Sequence, residues 1–373
     1  MSRTHRRSAG HQGARAVPFP GGPATRTARG PASRRQPWVA VVVAVAALAG
    51  CLVAAELALR ALSAHALLVL DVEMWRYARR VKAPSAAPGL IEVHRSDARA
   101  RLMGVDVRTD EHGFRRPAAA IEAARRPDDR RVAVIGDSLT FGWGVAEDET
   151  FAARLESALR NHCPEAPATV WNAGVGNSNT AMQLARYDLV VAPLRPQWVV
   201  LGYFVNDAEP DPETASHPLI WRSAFANLLV TRLAQGTHGD LRDYREYYAE
   251  LYEEDRPGWR ATRRALGELG RRLADDGVAA TLLLLPEMHH PRGHGPFAEI
   301  YTEVAARGEA SGFEVIDTAP GFPPGPGERF WVTPTDAHPD GAAHAIFAEA
   351  LLASRHACPG ATPDVESREA ASL

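Results

Sequence analysis

Two widely separated stretches of the chain carry side chains that can run acyl transfer. In the first, Gly136-Asp137-Ser138-Leu139 follows the apolar residues Val134 and Ile135. A chain reversing from strand to helix at that point exposes a hydroxyl at the ligand edge of a parallel sheet. In the second, Thr335-Asp336-Ala337-His338-Pro339-Asp340 immediately precedes the last helical pattern. A neutral His338 can take the Ser138 proton, while a carboxylate two residues earlier can hold the ring tautomer and stabilise the imidazolium. Each stretch has a plainer reading when taken alone. Ser138 fits a helix N-cap or a phosphate-binding turn, and His338 fits a surface loop histidine. Asp340 is read as the N-cap of the following helix, and His344 as a packing residue on that helix.

Two further segments bear on the same chemistry. Asn172-Ala-Gly174-Val-Gly176-Asn177-Ser-Asn-Thr180 and Tyr203-Phe-Val-Asn206-Asp207 each follow an apolar run. A turn N–H together with an amide side chain can donate to the negative oxygen of a tetrahedral intermediate. Either segment alone is an ordinary turn, but four polar segments at the same edge of one sheet form a coherent site.

The elements that must position them alternate. Apolar runs at 131–136, 168–172, 197–203, 278–285 and 313–317 read as buried parallel strands. Helical patterns fall at 149–162, 179–192, 258–276, 296–311 and 340–356. Such alternation predicts an α/β fold with a five-stranded, doubly wound parallel sheet. Residues 207–257 exceed an ordinary strand–helix loop and read as a helical insertion beside the site. Upstream, 63–130 forms a membrane-proximal connecting region. It holds an amphipathic helix over Asp71–Arg80 and, across Gly104–Arg116, the alternation of a short hairpin or edge strand with Gly113 at its turn.

Taken in order, these segments resemble the sequence blocks of the SGNH (GDSL-type) hydrolase superfamily over residues 131–356. The resemblance implies a three-layer α/β/α flavodoxin-like fold and ester or acyl-transfer chemistry with no metal or organic cofactor. It assigns Ser138 as nucleophile and Asp336 and His338 as acid and base, with Ser138, Asn177 and Asn206 forming the oxyanion hole. Departures from the family pattern are local. Asn177 replaces the usual glycine, although asparagine is the next best residue for a left-handed turn and keeps its N–H. The acid and base read D-x-H rather than D-x-x-H, which puts Thr335 where the acid is expected. Phe204 stands where glycine is common, which bears on pocket shape.

Composition places the domain. The 373 residues are 46% hydrophobic with a formal net charge of −3, ample for a large buried core. Residues 1–36 hold eight arginines and no carboxylate, leaving 34 basic against 45 acidic residues, a net of −11, in the remainder. This basic segment runs straight into an apolar stretch and reads as a cytoplasmic tail, not a nucleic-acid arm. A transmembrane signal anchor is expected over 37–62, uncharged from Val39 to Ala55. Positive charge keeps its N-terminal side in the cytoplasm, so the bulk of the chain is expected outside it, or in the periplasm. The alternatives are a cleaved signal peptide, a lipobox at Leu48-Ala49-Gly50-Cys51 and twin-arginine export through Arg34-Arg35; each also leads out of the cytoplasm. There Cys163 and Cys358 form a candidate disulfide, two free thiols being the other reading. The hydrolase domain is expected over 131–358 and a disordered tail over 359–373.

The function expected is that of a serine esterase or O-acyltransferase acting on small acyl esters, acetyl foremost, of cell-surface or exported polysaccharide. Trp221, Trp259 and Trp331 can stack on sugar rings, though core packing is the commoner use. A lipid acylhydrolase or thioesterase is the alternative within the same class. A non-catalytic envelope-assembly subunit that keeps the fold is the alternative outside it. His289, His290 and His294 sit in a Pro/Gly loop whose spacing fits a pocket rim better than a zinc site.

Overall fold

The computed structural model describes residues 37–64, 70–211, 222–235 and 241–359. The basic segment 1–36, Trp221 and the tail beyond Pro359 lie outside the described residues. The chain divides into a unit ending at Cys51 and a second unit from Leu52 onward. Helix α1 (Pro37–Ala64) contains one stretch, Trp38–Ala61, long and apolar enough to cross a membrane. Its side chains are exposed except at half-buried Ala55, Glu56 and Leu59.

The second unit is built on five parallel strands: β5 (Arg130–Ile135), β6 (Ala168–Asn172), β7 (Trp198–Tyr203), β8 (Ala279–Leu284) and β9 (Glu314–Asp317). They lie in the order β6-β5-β7-β8-β9. The strand order therefore reverses at β5, and such a switch point opens a crevice outside the carboxyl ends of the strands. Ser138 follows β5 directly. The central strands are buried on both faces, which is why they read as continuous apolar runs.

Alternate residues of β5 feed two separate cores. Val132 and Val134 face Leu155, Leu159, Phe347 and Leu351, from α5 (Phe151–His162) and α11 (Gly341–Leu352). Ala133 and Ile135 face Leu266, Leu269, Tyr301 and Val304, from α9 (Pro257–Asp275) and α10 (Ala298–Ala310). Side chains of a strand alternate between its faces, so one strand ties together both helix layers. Burial of each such aliphatic side chain contributes about 1.5–3 kcal/mol.

The helical reading of 179–192 divides. α6 (Thr180–Arg186) is followed by a wider turn over Tyr187–Val191 and a tight one over Ala192–Leu194. Arg195, in the left-handed region at φ 54°, then turns the chain toward β7. The final helix stops at Leu352 instead of reaching 356. Cys163, at the end of α5, is disulfide-bonded to Cys358, with Cα atoms 5.5 Å apart. In the insertion, α7 (Ala224–Gln235) and α8 (Leu241–Leu251) are helical.

The region upstream of the sheet differs in detail from the sequence reading. Helix α2 (Leu70–Arg80) leads into two antiparallel pairs. One joins β1 (Lys82–Pro84) to β2 (Glu92–His94), the other β3 (Arg99–Leu102) to β4 (Val105–Arg108). The second hairpin turns at Met103-Gly104, with φ of 48° and 77°, not at Gly113. Consecutive left-handed residues match the twist of paired strands, but methionine in the first of these positions gave no turn signal. Gly113 serves a separate turn, braced by Asp110 Oδ1 accepting from His112 N and Phe114 N. That turn delivers Arg115 to a bridge with Asn172 at the end of β6, and the short helix α3 (Ala119–Ala123) follows.

Candidate active site

Ser138 is the first residue of the short helix α4 (Ser138–Phe141). Asp137 caps this helix, its Oδ1 accepting from Leu139 N at 2.8 Å. The loop after β6 presses against it: Asn172 Nδ2 donates to Thr140 O at 2.9 Å. A Cβ on Gly174 would lie 2.4 Å from Phe141 N, so only glycine permits this approach. Ser138 is thus fixed from below by its strand and from the side by its neighbour's loop.

Strand β10 (Trp331–Thr333) pairs with β11 (Asp336–Pro339), and β11 carries the other two members of the set. His338 Nε2 lies 3.0 Å from Ser138 Oγ. His338 Nδ1 lies 2.6 Å from Asp336 Oδ1, which also accepts from His338 N at 3.1 Å. With Nδ1–H donated to the carboxylate, Nε2 is the free acceptor for the serine proton. The D-x-H spacing works because residues i and i+2 of a strand point to one face. Thr335, in the position where the family pattern places the acid, is exposed and sits beside Thr333 instead.

Asp336 is 3% exposed. Burial pushes its carboxyl up, but the hydrogen bonds and charge of His338 and the indole N–H of Trp143 together hold it below the usual aspartate range. Trp143 Nε1 donates to Asp336 Oδ2 at 3.0 Å. Both carboxylate oxygens are therefore engaged, which fixes the rotamer that orients the histidine.

Asn177 has φ 63° and is exposed, flanked by buried Gly176 and Ser178. Its left-handed conformation is the one its family counterpart, glycine, adopts at no steric cost. Asn206 lies in a tight turn after β7, over Val205–Ala208. Its side chain sits against the Asp137 carboxyl, and its buried Oδ1 has no partner among the described residues. Asp137 is pushed up chiefly by burial, and Asp207 further, by burial and by the charge of Asp137. Asp207 is tied in place by Gln183 Nε2 at 2.7 Å and by Phe204 N at 3.2 Å.

Asp340 accepts from Ala342 N and Ala343 N as the cap of α11. His344 is buried, with Nδ1 accepting from Phe151 N at 3.1 Å, and burial lowers its pKa to about 3. It therefore stays neutral and structural. Of the loop histidines, His289 pairs with Glu287, whereas His294 pairs with Asp317 at 2.9 Å and stacks on Tyr301. Among the described residues, no group of three or more metal-ligating side chains comes together. Trp259 is buried against Tyr252, so it belongs to the core and offers no sugar platform. Trp331 is half-buried and donates its indole N–H to Met288 O at 2.9 Å.

Several residues that shape the site had no signal in the sequence. Trp143 lies five residues beyond Ser138, yet nothing about its spacing pointed to the carboxylate it braces. From upstream, buried Arg115 donates through Nη1 to Phe141 O at 2.8 Å and to Gly142 O, and through Nη2 to Val145 O. Burial lowers its pKa to about 10, so it remains a cation at neutral pH. Also from upstream, Tyr77 Oη accepts from Gly176 N and Lys82 Nζ donates to Gly176 O.

A model of the GDSL-like lipase/acylhydrolase family matches residues 134–346. Solved structures similar in fold include the acetylxylan esterase Axe2 of Geobacillus stearothermophilus, at 18% identity and a TM-score of 0.38 over 61% of this chain and 95% of that one. Another is LAE5, an α/β hydrolase from the metagenome of Lake Arreo, at 20% identity and a TM-score of 0.37 over 60% of this chain and 94% of that one. No curated protein matches the chain.

Proposed function

The chain belongs to the GDSL-like lipase/acylhydrolase family, and within it we propose an esterase or O-acyltransferase that handles small acyl groups, acetyl foremost, on exported or cell-surface polysaccharide. The observation that carries this reading is the unbroken run from Ser138 Oγ through the His338 ring to Asp336. In the proposed reaction Ser138 Oγ attacks the ester carbonyl as His338 Nε2 takes its proton. The new oxyanion is met by the N–H groups of Ser138 and Asn177 and by the Asn206 amide. Collapse expels the alcohol, protonated by His338, and leaves an acyl-serine. Water, or a sugar hydroxyl, then loses a proton to His338 and releases the acyl group.

Support for a substrate outside the cytoplasm comes from the span Trp38–Ala61 and the arginine-rich segment before it, which favours a cytoplasmic N-terminus. The lipid acylhydrolase reading draws on Leu229 and Val230, two exposed apolar residues of α7 in the insertion. A chain-length series separates the two. Full-length protein in detergent is assayed against p-nitrophenyl esters from acetate to laurate, beside Ser138→Ala. We expect kcat/KM to be greatest for acetate and turnover to vanish in the variant. A rise toward laurate favours the lipid reading, and turnover that survives Ser138→Ala removes the mechanism.

A further inference from the structure

We propose that Lys82 is a positioning residue for acyl transfer, its ammonium holding and polarising the peptide group between Gly176 and Asn177. The proposal rests on the reading of the Asn177 N–H as an oxyanion donor. That N–H makes no hydrogen bond among the described residues, and Asn177 is exposed at the tip of an otherwise buried turn. Its peptide unit begins at the Gly176 carbonyl, and Lys82 Nζ donates to that oxygen at 2.6 Å. A cation on the carbonyl oxygen draws electron density toward itself and makes the N–H at the other end of the unit a stronger donor. As negative charge grows on the substrate oxygen, the strengthened dipole already points at it.

The placement of Lys82 is specific. It is 5% exposed, and Nζ also pairs with Glu92 Oε2 at 2.6 Å across the β1–β2 ladder. Burial lowers the lysine pKa, and the Glu92 carboxylate counters that shift. An aliphatic residue would fill the same space without the cost of desolvating an ammonium, so a lysine here calls for an electrostatic role. The preceding amide is clamped as well. Gly176 N donates to Tyr77 Oη at 2.9 Å. The Tyr77 hydroxyl donates to His94 Nε2 at 2.6 Å, and His94 Nδ1 donates to Gly113 O at 3.0 Å. Gly176 has no side chain to keep the ring away; a Cβ there would lie 3.0 Å from Tyr77 Cε1. The turn is thereby held through both the N–H and the C=O of Gly176, but only the Lys82 contact carries charge.

The test compares the full-length wild type with the double variant Lys82→Met/Glu92→Gln, which removes both charges of the pair together, using a small acetate ester and a thermal unfolding scan. Losing a whole oxyanion donor costs roughly 10²–10³-fold in kcat, so losing the polarisation of one donor should cost about tenfold. We expect the double variant to fall by that factor in kcat with KM within twofold, and to react correspondingly more slowly with a serine-directed phosphonate. Its thermal midpoint should stay close to that of the wild type. Equal kcat in the two proteins would overturn the proposal, as would a loss that tracks the thermal midpoint or lies in KM. Wild-type protein lacking Ser138-dependent turnover would remove the reading of the site and this inference with it, whereas equal kcat removes the inference alone.

Discussion

The five-stranded sheet and the segment from α2 to Arg115 converge on the same loops and hold them by different physics. The sheet works through backbone ladders and apolar burial. Its strand ends deliver Ser138, the Asn177 turn and Asn206 to one edge, with both faces of β5 packed in aliphatic side chains. The upstream segment works through single polar side chains. Arg115 binds three carbonyls around the end of α4, and Tyr77 and Lys82 bind the turn opposite. Strand ends set where a group stands to within a residue. The peptide planes of the loops beyond them are fixed only when something bonds their carbonyls and N–H groups.

If the sheet supplies the reacting groups and the upstream segment supplies support, variants on the two sides should differ in kind. The largest effect belongs to the sheet side. His338→Ala removes the base and should lower kcat by about a millionfold, whereas Asp336→Ala removes only orientation and charge support and should cost about ten thousandfold. Steady-state kinetics on a small ester checks the order, and equal or reversed losses would mean that Asp336 is not the group that orients His338. The upstream side should show up in stability as much as in rate. Arg115→Leu leaves buried carbonyls without donors and should cost on the order of 3 kcal/mol in stability. Denaturant unfolding measures this cost, together with a fall in kcat that the unfolding of α4 would explain. An Arg115→Leu protein as stable as wild type would erase the division of labour between the two regions.

The same division accounts for what could be read from the sequence. Strands with both faces buried announce themselves as apolar runs, and their observed ends fall within a residue or so of those runs. The candidate catalytic residues sit in short local patterns, G-D-S at 136–138 and D-x-H at 336–338. The support residues have no such signature. Tyr77 and Gly176 stand 99 residues apart, Lys82 and Gly176 94, and each meets its partner through one hydrogen bond that no periodicity encodes. The turn at Met103-Gly104 lacks a sequence signature for a related reason, since its left-handed methionine is imposed by the strands that it joins. The D-x-H spacing follows from the strand at 336–339, where residues two apart share a face.

Site-resolved labelling tests the assignment of Ser138 most directly. Full-length protein is treated with a small fluorophosphonate, digested and mapped by mass spectrometry, beside Ser138→Ala and His338→Ala. A single phosphonyl adduct on Ser138, absent from the first variant and greatly slowed in the second, is the predicted result. An adduct on another residue, or labelling of Ser138 at an undiminished rate without His338, would contradict it.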